Sequence, residues 1–194
     1  MEIILPVHYF PRISWFIRLV DNKDAIIGSN SLFYKQSSVT RTILKGSEKN
    51  IPLNVPTLHP RYGKNVLEIE IANTNNWKSL HWKTIQSCYG KSPFFIYFED
   101  EIRDMIFYDE KVLYLFLSNI ISGCAQLLKI SAINFQPNAV PINLPETVIK
   151  NLNPYYQRFG AFEPDLSIID LVCNMGPHSL EYLHNPKYLY SSES

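Results

Sequence analysis

Residues 2–29 read EIILPVHYFPRISWFIRLVDNKDAIIGS, and this stretch decides the fold class. Glu2–Val7 is nearly all apolar, the composition of a short strand covered on both faces. Pro6 and Pro11 bracket a loop that carries His8 and Tyr9. Ser14–Val20 reads as a short helix, and Ala25–Ser29 is a second strand-like run. Strand, helix and strand at such close spacing predict parallel strands in a βαβ unit. A start of that kind leaves a binding crevice at the carboxyl ends of its strands. Here the crevice would be lined by His8, Tyr9 and the loop from Asn30 to Ser38.

Further along, Arg41–Lys45 and Ile51–Thr57 flank the turn-forming GSEKN, which predicts a hairpin. Pro52 and Pro56 push its second strand toward an edge position. Val66–Ala72 alternates as a strand does, with Val66, Glu68 and Glu70 on one side and Leu67, Ile69 and Ile71 on the other. In NWKSLHWKTIQSCYGKSPFF, residues 76–95, a helix capped by Asn76 would set Trp77, His81, Thr84, Ile85 and Cys88 on one face. Trp82 and Tyr89 line a second edge of the same helix.

Ser92-Pro93 reads as its stop and as the cap of another helix running to Met105. Asp109 is placed to cap a third, Glu110 to Leu128, apolar nearly all round and so central. Ile130–Phe135 is a candidate last strand, and a Pro- and Asn-rich connection leads to Pro154. Asp165 would cap a final helix that Gly176-Pro177 ends. The expected fold is α/β: one domain over 1–194, a mixed sheet with a Rossmann-like βαβ start, helices clustered in the second half, and a loosely held tail from 185 to 194.

Eighteen basic residues balance eighteen acidic ones, so no global field draws the chain to nucleic acid or anionic lipid. Three cysteines, Cys88, Cys124 and Cys173, sit in apolar helical patterns; an odd number without zinc spacing reads as reduced core thiols. The acidic opening lacks a secretory n-region, and the most apolar run, Val112 to Leu128, is too short and too interrupted to span a bilayer. The expected location is the cytoplasm.

Phosphate cradles of the GxxxxGK[ST] and GxGxxG kinds are missing, as are HExxH, CxxC and GxSxG. No motif names a cofactor, and no metal site is expected. His81 is the candidate proton acceptor, since imidazole titrates near neutrality, or else a hydrogen-bonded core histidine. Trp77 and Trp82 either pack the core or floor a pocket for a sugar or base ring. Lys35, Gln36 and Arg41 in FYKQSSVTRT could hold a phosphate or carboxylate beside His8 and Tyr9. Asp170 is a carboxylate inside an apolar helix, a candidate base or anchor if it is not simply paired. Gln157 in YYQRFG has the same two readings.

Several of these stretches resemble the WbqC-like protein family. LPVHYFPRISWF (5–16) is similar to that family's strand, Tyr-Pro loop and aromatic helix, and YKQSSVTR (34–41) to its Lys-Gln pair followed by Arg. WKSLHWKTIQSCYGKSPFFIYFED (77–100) and YYQRFGAFEPDLSIIDLVCNMGP (155–177) resemble longer blocks, the second nearly unbroken. Val39 and Thr40 stand where many members have Arg and Asn, and the 136–153 segment is shorter than in longer members. The resemblance implies an enzyme of bacterial surface polysaccharide (O-antigen) synthesis, with glycyl transfer suggested for one branch; it supplies no catalytic residues.

The resulting expectation is a transferase acting on a small or sugar-linked substrate. Lys35 and Arg41 would hold an anionic group, His81 and Asp170 would do the chemistry, and Tyr9, Trp77, Trp82 and Tyr89 would provide ring surfaces. A non-catalytic partner of a glycan-synthesis enzyme is the competing expectation, with the aromatics covering an interface. Homo-oligomerisation suits either.

Overall fold

A computed structural model describes residues 3–28, 38–58, 65–131, 133–140 and 149–185. Strand β1 (Ile4–Pro6), helix α1 (Ile13–Asp21) and strand β2 (Ile26–Gly28) form the expected unit, with β1 and β2 parallel and Leu5 opposite Ile27. Strand β5 (Asn134–Gln136) joins the other edge of β2, also parallel, with Phe135 opposite Ile27. The central strand is thus short, apolar and fully buried, as its composition requires. Helix α1 turns Ile13, Trp15, Phe16, Ile17 and Leu19 inward, and the Trp15 Nε1–H donates to the Pro6 carbonyl at 2.9 Å, tying helix to strand.

The hairpin forms as strands β3 (Arg41–Leu44) and β4 (Ile51–Asn54), antiparallel with Ile43 opposite Pro52. It is a separate two-stranded sheet, not part of one mixed sheet. Its outer edge is already occupied: the Ser167 N–H donates to the Ile43 carbonyl at 3.0 Å. Val66–Ala72 forms no ladder. The Asn65 side chain accepts from the Leu67 N–H and draws Val66–Glu68 into a 3₁₀ turn. The rest is pinned singly between neighbours, by Ile71 N–H to Lys111 O, Ala72 N–H to Pro56 O and Leu113 N–H to Ile69 O. The predicted inside–outside pattern holds only from Glu68 on, with Ile69 and Ile71 buried and both glutamates exposed; in the 3₁₀ turn Val66, expected beside the glutamates, is buried instead.

Helix α2 (Trp77–Tyr89) begins and ends as expected, although Asn76 stands at its start in a left-handed conformation and makes no side-chain cap. The helix predicted after Ser92-Pro93 starts later. Residues 95–97 are 3₁₀ and helix α3 spans Glu99–Phe107. The Phe94 N–H is spent on the Cys173 carbonyl at 3.0 Å, a tertiary tie that overrides local propensity. Helix α4 (Leu113–Leu127) starts after Glu110, not at it, because the Glu110 carboxylate takes the Lys111 and Val112 N–H groups and Val112 bridges Glu70. Its Phe116, Leu117, Ile120, Ile121 and Cys124 are buried at helical spacing, which makes it the central helix.

Helix α5 (Ile168–Met175) ends at Gly176, whose φ of 53° is a conformation L-residues disfavour, and helix α6 (Ser179–His184) follows. Asp165 does not cap α5; Ser167 does. Asp165 caps α1 instead: its buried carboxylate accepts the Ser14 N–H at 2.8 Å, the Ser14 hydroxyl at 3.0 Å and the Ile149 N–H at 3.1 Å. Antiparallel pairing of Arg12 with Ser167 and a bond from Ile168 N–H to Pro11 O complete this clasp. Among the described residues no helix is long and apolar enough to cross a membrane. Of the tail, 186–194 lies outside the described residues.

Candidate functional site

The first loop leaves β1 at the carboxyl end of the parallel sheet. Its Tyr9 N–H donates to the Val39 carbonyl, and the Phe10 carbonyl accepts from the Thr42 hydroxyl at 2.8 Å and the Ser167 hydroxyl at 3.3 Å. Phe10 is held at φ 40°, a backbone conformation costly for a bulky residue and maintained here by those bonds. The loop, the start of β3 and the α5 entrance therefore converge. Lys35 and Gln36 lie outside the described residues. Arg41 is at the convergence, and its buried Nε has no hydrogen-bond partner. His8, in the first loop, is buried.

The structure joins Tyr9 to His81. The Tyr9 hydroxyl and His81 Nδ1 are 2.9 Å apart, and Trp77 meets the imidazole edge-on at 5.0 Å between centroids. Phe116 closes the group against both Tyr9 and Trp77. His81 is 4 % exposed. Burial pushes its pKa down from the ordinary value to about 4, partly offset by a hydrogen bond to the Asn54 backbone. At neutral pH the ring is uncharged, with its Nδ1 paired to the Tyr9 hydroxyl. Buried and bonded to Tyr9 of the first loop, the imidazole ties that loop to α2. Trp82 is half-buried and stacks on Phe95 at 6.0 Å, away from this group.

At the other end of α2, Tyr89, Asp170 and Gln157 do meet. Asp170, fully buried, accepts from the Tyr155 hydroxyl, from Gln157 Nε2 at 2.7 Å and from the Tyr89 hydroxyl. Tyr89 in turn accepts the Lys45 N–H at 3.0 Å, and Gln157 is fixed by two bonds to the Glu163 backbone. Burial raises the Asp170 pKa, opposed by its three side-chain donors; burial and then the Asp170 charge push the Tyr155 and Tyr89 hydroxyls well up. The arrangement stores a carboxylate inside a ring of donors and rigidifies the α2–α5 contact. Cys88 is pushed by burial up to about 11, and Cys124 and Cys173 also rise, so none of the three is a ready thiolate.

Two members of this cluster escaped the sequence reading. Tyr155 stands two residues before Gln157, and in extended chain after Pro154 that spacing puts both on one side. Asn174 stands one helical turn past Asp170 and donates to its carbonyl at 2.8 Å. Among the described residues no group of His, Cys, Asp and Glu could hold a metal ion.

Comparison with known proteins adds one finding. No curated protein and no solved structure matches the chain. A sequence model of the WbqC-like protein family matches residues 7–146. The match takes in the first loop, the hairpin and helices α2 to α4, but stops short of the Tyr155–Pro177 block. With most of its length matched, this chain belongs to the WbqC-like protein family.

Proposed function

We propose that this chain is a transferase that modifies a sugar-linked intermediate of bacterial surface polysaccharide (O-antigen) synthesis, by transfer of an aminoacyl, glycyl-type group. Family membership supports the setting. The observation that carries the site is the unpartnered, buried Nε of Arg41 at the carboxyl end of the parallel sheet. A guanidinium with a donor to spare is suited to a carboxylate or phosphate. In this reading Arg41, with Lys35 and Gln36, holds the anionic group of donor or acceptor. His81 acts as a positioning residue: as a neutral ring it fixes Tyr9, and with Tyr9 the strained turn at Phe10. Asp170 and Gln157 brace α2 from its far end.

A thermal-shift screen against nucleotide sugars, acyl carriers and free amino acids tests the proposal, because a ligand confined to the folded state raises Tm. The expected result is a ligand-induced rise that weakens with salt and is lost in Arg41→Ala. A rise that Arg41→Ala keeps in full, or none with any of these ligands, overturns it. One observation favours the competing reading of a non-catalytic partner of a glycan-synthesis enzyme: Ile96 and Tyr97 are 72 % and 70 % exposed.

A further inference from the structure

The acidic and basic residues balance overall but not locally. Between 96 and 110 there are six carboxylates and one basic residue, so this stretch carries −5 and the rest of the chain a compensating +5. The stretch folds as the turn before α3, α3 itself and the residues after it. Its inner face buries Ile102, Met105 and Ile106 against α4. Tyr97, Glu101, Asp104 and Tyr108 follow the helical period on the other side, all exposed or nearly so. The large apolar side chains at the two ends, Ile96 and Tyr97, then Phe107 and Tyr108, remain open to solvent while acids fill the middle. Neither Glu101 nor Asp104 forms an ion pair with a described residue.

A groove of about 490 Å³ runs along this face toward α4. Glu101, Asp104 and Tyr108 form one wall, and Asn119, Ser122 and Gln126 form the other. Gly123 lies between them, where a side chain would collide with Met105. The polar wall is a single stripe on a helix that is otherwise apolar, and it faces the acids, not the core. Carboxylates opposite amides suit ammonium or guanidinium groups, which have only donors to offer. Apolar ends flanking an acidic centre suit a segment with cations in its middle and hydrocarbon at its ends.

We propose that the outer face of α3, with the α3–α4 groove, docks a Lys/Arg-bearing amphipathic segment of a partner protein. A second copy of this chain meeting face to face through the same patch is disfavoured by charge, since −5 would oppose −5. This proposal stands whether or not the transferase reading does, because the groove shares no residue with the first loop.

The test is fluorescence anisotropy with a labelled amphipathic Leu/Lys peptide, using the full chain. Saturable binding is expected, weakening steeply as salt rises. The double substitution Glu101→Gln, Asp104→Asn should reduce affinity at least about tenfold, the loss of roughly one interaction of 1.4 kcal/mol. Tyr97→Ala, which removes no charge, should also weaken binding, whereas Glu48→Gln on the hairpin turn should not. The melting temperature of each variant checks that the fold is kept. Equal affinity in the double variant overturns the proposal, as does unsaturable binding. Displacement of the peptide by spermidine, with Tyr97→Ala unaffected, would assign the groove to a small polyamine and overturn the protein partner.

Discussion

At the scale of single residues, His81 yields the sharpest prediction. Its folded pKa, about 4, lies below the unfolded value of about 6.5. The unfolded chain therefore binds this proton first as pH falls, and the contribution of the neutral ring is fully present above 6.5 and lost between 6.5 and 4. The shift is equivalent to about 3 kcal/mol. Asp165 and Asp170, whose pKa values are raised by burial, act with opposite sign: their effect is present in acid and declines as pH rises through their folded values. Subtraction removes them. The difference in urea stability between wild type and His81→Gln should shrink by a few kcal/mol from pH 7 to pH 4, and a constant difference would mean the ring is not held neutral. Asp165→Ala, which strands two N–H groups and a hydroxyl, should cost about 3 kcal/mol, and Asp165→Asn clearly less since it keeps an acceptor for Ser14. Equilibrium unfolding of the pair in urea reads both.

At the scale of elements, the contact of α3 with α4 depends on Gly123. A Cβ there would overlap the Met105 thioether. Gly123→Ala should cost about 1–3 kcal/mol. Shortening the opposing side chain in Gly123→Ala, Met105→Ala should recover part of that, and a double-mutant cycle showing no coupling would mean the helices simply separate. The elements also show where sequence was informative. Apolar runs located β1, β2 and α4, and GSEKN located the hairpin, because those segments are determined by local pattern. Helix starts were misread at Ser92, Asp109 and Asp165 for a shared reason. Each offers a local cap, yet the groups there are taken by distant partners: Cys173 takes the Phe94 N–H, Ile69 and Ile71 take the Leu113 N–H and the Lys111 carbonyl, and Ser14 takes the Asp165 carboxylate. Local propensity is a weak term once a buried tertiary bond competes with it.

At the scale of the whole molecule, the candidate site divides the same way. The sequence marks Asp170 as a carboxylate inside an apolar helix, Gln157 as a site or scaffold residue and Tyr89 as a ring surface, and the fold brings the three into one cluster. Their shared partner, Tyr155, and the coupling of Tyr9 to His81 across 72 residues of chain depend on packing that no local signal encodes. Arg41 was named for its charge; that its Nε would be buried without a partner could come only from the structure. The family match ends at 146, whereas the clasp on α1 comes from 165–168. A chain stopped at 146 should therefore show weak, non-cooperative unfolding by circular dichroism, and a sharp transition would show that the clasp is dispensable.

The reach of that clasp has a consequence for biogenesis. Ser14 leaves the ribosome long before its partner at 165 is made, and at 5–20 residues per second the delay is roughly 8–30 s. Throughout that interval the apolar opening strand and the tryptophan-bearing helix behind it lack their closing contacts. The nascent polypeptide should accordingly be a client for holdase chaperones until translation is almost finished.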